Sequence, residues 1–84
     1  MLTILKLPQV LAKCGRTKSP LYADITAGLF VKPVKVGVRA SGFPEAEVNT
    51  LIRARIAGLS TKEIRDLVDR LHEARKSDAL SVVA

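Results

Sequence analysis

Acidic side chains are almost missing from the first half of this 84-residue chain. Residues 1–44 hold one, Asp24, against Lys6, Lys13, Arg16, Lys18, Lys32, Lys35 and Arg39. Residues 45–84 carry as many acids as bases, so the formal charge of +6 resides entirely in the first half. A neutral half can pair its own charges. The basic half lacks internal partners and repels itself unless an anion lies near, which points to nucleic acid or an acidic membrane surface. Tryptophan is absent and aromatics make up only 4% of the residues, so a core must be built from Leu, Val and Ile. A single cysteine, Cys14, rules out an intramolecular disulfide and gives no sign of secretion. No apolar run is long enough to span a bilayer. The opening MLTILKLPQVLAKCG is interrupted by Lys6, Pro8 and Lys13 and has no basic segment before it, so it does not read as a signal peptide. The expectation is a soluble cytoplasmic protein that does not engage a membrane.

Catalytic groupings are missing too. There is no glycine-rich phosphate loop and no Ser or Cys nucleophile with a base. His72 is the only histidine, with no second metal ligand at useful spacing. The chain reads as a non-enzyme with no cofactor and no metal.

What is present is a set of helix signals around a short hairpin. Residues 1–7 are an extended apolar lead-in. Pro8 suits the first turn of a helix over 8–14, with Val10, Leu11 and Cys14 on one face and Gly15 as its stop. Thr17 or Ser19 caps a second helix that accepts Pro20 in its first turn, turns Leu21, Tyr22 and Ile25 inward and ends at Gly28. Two helices joined tightly at Gly15 make a helix-turn-helix. Val34 and Val36 alternate with Lys35 before Gly37, and Arg39–Phe43 follow, which predicts a two-stranded hairpin beginning near Val34. Pro44, Glu45 and Glu47 open a helix that runs to about Gly58, with Val48, Leu51, Ile52 and Ile56 at helical spacing. Ser60-Thr61-Lys62-Glu63 is a capping box, and Ile64, Leu67, Val68 and Leu71 follow at i, i+3, i+4 and i+7. That helix is expected to reach Arg75 or Lys76, with Lys62, Arg65, Asp66, Asp69 and Arg70 as a solvated face of i,i+4 pairs. The tail after it carries no strong pattern.

The ordered features Leu7-Pro8-x-Val10, Gly15, Ser19-x-Leu21-Tyr22, Gly28-x-Phe30-x-Lys32-Pro33-Val34-Lys35-x-Gly37, Arg39 and Glu47-Val48 resemble the AlpA family of prophage transcriptional regulators. That family is related to excisionases and to the DNA-binding domains of MerR-type regulators. The resemblance covers about residues 5–58. It implies a winged helix-turn-helix, mainly α with a small β-hairpin, and sequence-specific DNA binding. The family usually has Trp where this chain has Phe43, and a small residue where this chain has Pro20, which predicts a later start for the recognition helix. The capped helix at 60–76 lies outside the resemblance.

On this reading residues 1–58 form the DNA-binding domain. Residues 59–84 add a C-terminal helix and tail, either in the same compact domain or as a self-association element. A recognition helix reads base edges near its N-terminus, here Arg16, Thr17, Lys18 and Ser19, with Tyr22 and Thr26 facing or flanking the groove. Asp24 accepts from a cytosine amino group or pairs with a nearby cation, the second being favoured. Lys32, Lys35 and Arg39 belong to the wing and suit phosphate or minor-groove contacts. The expected partners are double-stranded DNA, a second copy of the chain through residues 60–76, and an integrase or RNA polymerase. The leading function is a regulator of prophage or mobile-element genes. The alternatives are an excision factor that bends DNA for an integrase and a protein-binding anti-repressor.

Overall fold

The computed structural model describes residues 3–83, with side chains through residue 77. The elements run β1 (Ile4–Leu5), α1 (Leu7–Cys14), α2 (Lys18–Ala27), β2 (Val34–Lys35), β3 (Ser41–Pro44), α3 (Glu45–Ile56) and α4 (Thr61–Val83). This is a winged helix-turn-helix with an added C-terminal helix, as expected.

The turn between α1 and α2 depends on Gly15, whose φ of 64° lies in the left-handed region that side chains disfavour. Its N–H and that of Arg16 bond back to the carbonyls of Ala12 and Leu11 at 3.4 and 3.0 Å, closing α1. Thr17, not Ser19, is the N-cap of α2. Pro20 is therefore the third residue of the helix, where no N–H is needed, and it delays nothing. The first full-turn bond runs from Leu21 N–H to Thr17 O at 3.3 Å.

The expected two-stranded hairpin is part of a three-stranded antiparallel sheet of order β1-β3-β2. Val34 and Lys35 pair with Gly42 and Ser41, while Ile4 and Leu5 pair with Pro44 and Phe43. The lead-in is too short for alternation to reveal it as a strand. Its close approach requires Gly42, because a Cβ there would stand 2.4 Å from Ile4 Cγ2 and 2.8 Å from the Leu5 carbonyl oxygen. The hairpin apex is closed by Val36 N–H to Ala40 O at 3.0 Å.

The core joins Leu5, Val10, Leu21, Phe30, Val31, Phe43, Val48, Leu51, Ile64 and Val68, with no buried polar residue among those described. Phe43 meets Phe30 edge to face, with ring centroids 5.8 Å apart. Phe43, 2% exposed, is thus a core residue. Three expectations for individual side chains are corrected. Tyr22 points outward and is 43% exposed, because Leu21 and Ile25 set the rotation of α2. Ile56 is exposed, since Ala54 completes the inner face of α3 with Val48 and Leu51. The solvated face of α4 shows no i,i+4 ion pair among the described residues, and its one internal pair is Lys76–Glu73 at 3.7 Å.

The capping box of α4 forms in full. Glu63 N–H donates to Ser60 Oγ at 3.2 Å, and Ser60 N–H donates to Glu63 Oε1 at 3.0 Å. The bonds from Ser60 hold the Glu63 carboxyl below the usual range. The helix continues past residue 76 as far as Val83, and residue 84 lies outside the described residues. Its stripe of Ile64, Leu67, Val68 and Leu71 packs on the chain's own core, the first of the two places open to it. The same face continues into His72 and Arg75. His72 Nε2 accepts from the Lys32 N–H at 3.1 Å. Arg75 donates to Glu47 of α3 at 2.5 to 3.1 Å and to the Lys32 carbonyl at 2.8 Å. Arg65 Nε donates to the Ala27 carbonyl at the end of α2, at 3.1 Å.

Two measurements check this architecture. Gly42→Ala is expected to lose about 2 kcal/mol of stability in urea denaturation, because the new methyl meets backbone. Gly37→Ala, whose Cβ would meet only the Ala40 methyl at 3.7 Å, is expected to change stability by less than about 0.5 kcal/mol. Burial, and then the neighbouring Arg75, push the His72 imidazole below its ordinary value, against a smaller opposing pull from Glu47. The unfolded chain therefore binds the proton more readily. Stability is full above pH about 6.5 and falls as the pH drops below it. The urea midpoint is expected to fall between pH 7.5 and 5.5, and His72→Gln is expected to flatten that slope.

Candidate nucleic-acid interface

Successive helical residues lie about 100° apart, so burying one side of α2 fixes what the other presents. Leu21 is fully buried and Ile25 is half-buried. Ser19, Tyr22, Ala23 and Thr26 lie opposite and are exposed. They form a shallow face of two hydroxyls, one methyl and one phenol. Thr17 precedes it in extended conformation, and its hydroxyl makes no capping bond to the helix. Lys18 stands at the edge with its ammonium 6.0 Å from the Tyr22 ring centroid, at the outer reach of a cation–π contact. Ala23 was not among the sequence-derived candidates. Its place one turn from both Ser19 and Thr26 is the signal that finds it, once Leu21 is known to point inward.

Arg16 is tied to the protein. Its guanidinium pairs with Asp24 Oδ2, and Arg55 reaches the same oxygen at 3.3 Å. Asp24 thus takes the pairing role favoured for it, with two arginines on one carboxylate that is 15% exposed. Lys13 meets Glu45 at 3.6 Å. The basic half therefore does not lack internal partners entirely, since α3 supplies a carboxylate for Lys13 and Asp24 serves Arg16. The cations without an ion pair among the described residues include Lys6, Lys18, Lys32, Lys35 and Arg39. Unscreened by carboxylates, these carry the positive field of the half.

Lys32 has an exposed side chain, but both of its backbone polar groups are bound by α4. Lys35 is exposed on β2, and Arg39 is exposed at the hairpin apex. Arg39 shares a shallow trough with Ile4, Lys6, Val36, Ala40 and Ser41. The structure thus brings Lys6 beside Arg39, a pairing with no trace in local sequence. Two apolar side chains project at the apex, Val36 at 54% and Val38 at 97% exposure.

A separate hollow of about 200 Å³ lies between α1 and α3, lined by Cys14, Phe30, Leu51, Ile52 and Ile56, with Lys13, Arg16 and Arg55 at its rim. Burial raises the Cys14 thiol above its ordinary value, against opposing pulls from Arg16, Arg55 and Lys13, so it stays protonated and behaves as a small apolar group. Among the described residues no group of three or more His, Cys, Asp or Glu is placed to hold a metal ion. No helix among them is long and apolar enough to cross a membrane.

No curated protein and no solved structure matches the chain. The family model of the prophage CP4-57 regulatory protein (AlpA) matches residues 3–56. That span starts one residue before β1, takes in α1, α2 and the hairpin, and stops at the last residue of α3. With the helix-turn-helix, the wing and the spacing of Gly15, Gly28 and Phe43 all inside it, the chain belongs to the AlpA family of prophage regulatory proteins.

Proposed function

We propose that this protein is a sequence-specific DNA-binding transcriptional regulator of prophage or mobile-element genes. It lays α2 in the major groove and rests the hairpin on the adjacent backbone or minor groove. The observation that carries this is the bare face of Ser19, Tyr22, Ala23 and Thr26, framed by unpaired cations on the helix and on the wing. A face of small residues lets a helix approach base edges closely, and hydroxyls and a phenol supply donors and acceptors there. Lys18, Lys35 and Arg39 meet phosphates, and Thr17 offers its free hydroxyl beside them. Lys32 adds charge at the root of the wing. Arg16, held by Asp24, fixes the turn and adds to the field; base reading falls to the outward face of α2.

DNA is the partner, and residues 1–58 and 59–84 act as one unit on it. A winged helix of this size covers few base pairs, so two or more copies act together on an operator. Ile64 and Val68 are spent on the chain's own core, with Leu67 and Leu71 packed against it, so copies that meet through residues 60–76 do so by the outer side chains of α4. An excision-factor reading uses the same surface, and the exposed Val38 favours it in one respect: an apolar side chain between two cations suits insertion at a base step, which bends a duplex.

Selection of bound fragments from a random duplex pool tests the reading. The wild-type chain is expected to return one motif, and Tyr22→Ala with Thr26→Ala to lose that motif while weak general binding persists. If about four to six phosphates are neutralised, log affinity falls with log salt at a slope of roughly −4 to −5, and Arg39→Ala lowers that slope by about one. No binding to any duplex at low salt would replace this reading with the protein-binding one.

A further inference from the structure

The hairpin rests on very little of its own. Each of its strands offers two residues to the other, and its apex from Val36 to Ala40 is wholly exposed. Nothing inside it sets the angle at which Lys35 and Arg39 are presented. Its support lies at the root, where the chain enters through Lys32-Pro33 and leaves through Phe43 and Pro44, paired with β1, into α3.

One helix reaches the chain on both sides of the wing, before β2 and after β3. Lys32 directly precedes Pro33 and β2, and α4 takes both of its backbone polar groups: the N–H on His72 Nε2 at 3.1 Å and the carbonyl on Arg75 Nη2 at 2.8 Å. The same Arg75 guanidinium binds the Glu47 carboxylate, three residues past the end of β3, at 2.5 to 3.1 Å. One side chain thus bridges the residues on either side of the wing, 32 and 47. The Glu47 carboxylate is 12% exposed and Arg75 is 25% exposed, so solvent competes poorly for this contact. Seven residues before His72 on the same face, Arg65 closes the end of α2 through the Ala27 carbonyl. The recognition helix and the wing are therefore referenced to a single rigid element, and that element lies beyond the residues matched by the family.

We propose that α4 is a brace that sets the wing against the recognition helix, with Arg75 and His72 as positioning residues for the wing's contact with DNA. This rests on the DNA-binding reading above. The brace acts through Arg39 at the apex of the wing, so its loss has little further effect once that contact is gone. It acts separately from the outward face of α2.

A double-mutant cycle separates these roles. Duplex binding is measured by fluorescence anisotropy on the fragment selected by the wild-type chain, with thermal melting as the control. Arg75→Ala and Arg39→Ala are each expected to weaken binding about tenfold, and the double variant scarcely more than either alone. Arg75→Ala combined with Tyr22→Ala is expected to multiply the two losses. Arg75→Lys keeps the charge but loses the planar fork, and is expected to bind as poorly as Arg75→Ala with a salt slope like that of Arg39→Ala. A direct phosphate contact by Arg75 would instead keep affinity and slope in Arg75→Lys. Should Arg75→Ala fail to fold, His72→Gln, which keeps an acceptor for the Lys32 N–H, is expected to bind normally while His72→Leu loses affinity. Losses that multiply between Arg75 and Arg39, or equal binding by the two His72 variants, would overturn the brace and leave the DNA reading standing. Arg39→Ala and Lys35→Ala without effect on affinity would remove the wing contact itself, and the brace with it.

Discussion

The four residues of β3 are where the parts of this small protein meet. Ser41 and Gly42 pair with the wing strand, Phe43 and Pro44 with the N-terminal strand, and Pro44 leads straight into α3. Phe43 also supplies the ring that meets Phe30, three residues past the end of α2. A chain of this length can bury only one cluster of side chains. The sheet makes that cluster common property: Leu5 enters from β1, Val10 and Leu21 from the two helices of the turn, and Ile64 and Val68 from α4. The missing Cβ at Gly42 is the condition for it, since β1 lies against the backbone there. Without β1 the N-terminal lead-in has no cover, and Leu5 leaves the core.

The charges are arranged with the same economy. Carboxylates are few, and each of the better buried ones serves more than one task. Asp24 anchors two arginines, which ties the turn before α2 to the last turns of α3. Glu47 holds Arg75 while its place near the start of α3 also suits the helix dipole. In the N-terminal half, the described cations left without an ion pair are Lys6, Lys18 at the edge of α2, Lys32, and Lys35 and Arg39 on the hairpin. The asymmetry in the sequence thus becomes a division in space between cations used to hold the fold and cations left to the solvent. A partner with its own dense negative charge is what the second group can meet.

Much of this was legible in the sequence because it rests on local rules. The stop at Gly15, the end of α2 at Gly28, the hairpin start at Val34 and the Ser60–Glu63 box each depend on residues within a turn of one another, and each stands where spacing and capping put it. The misses have long-range causes. Two residues of β1 are too few for a period, and their partner lies about 40 positions away. Leu21 and Tyr22 are adjacent apolar residues with equal local claims to the inner face; only tertiary packing buries the first and leaves the second 43% exposed. For the candidate site, the exposed Lys18, Lys35 and Arg39 were readable from charge alone. The tethering of Arg16 was half visible in the presence of Asp24, while Arg55, on a distant helix, was not. The contacts of Arg65, His72 and Arg75 span 28 to 43 residues of sequence and leave no local mark.

The position of α4 explains why its polar residues matter more than its apolar stripe suggests. Ile64, Leu67, Val68 and Leu71 give it a place on the core, but an apolar stripe tolerates sliding and rotation. Hydrogen bonds to the carbonyl of Ala27 and to both backbone groups of Lys32 do not, because each needs a donor and an acceptor at one distance and one angle. Those backbone groups sit at the end of α2 and at the root of the hairpin, which are the two places where a small rotation is magnified at the tips. A core this small and poor in large aromatics gives little leverage over such rotations. A long capped helix that fastens both places offers that leverage at the cost of a few side chains, and it does so without touching the surface left for a partner.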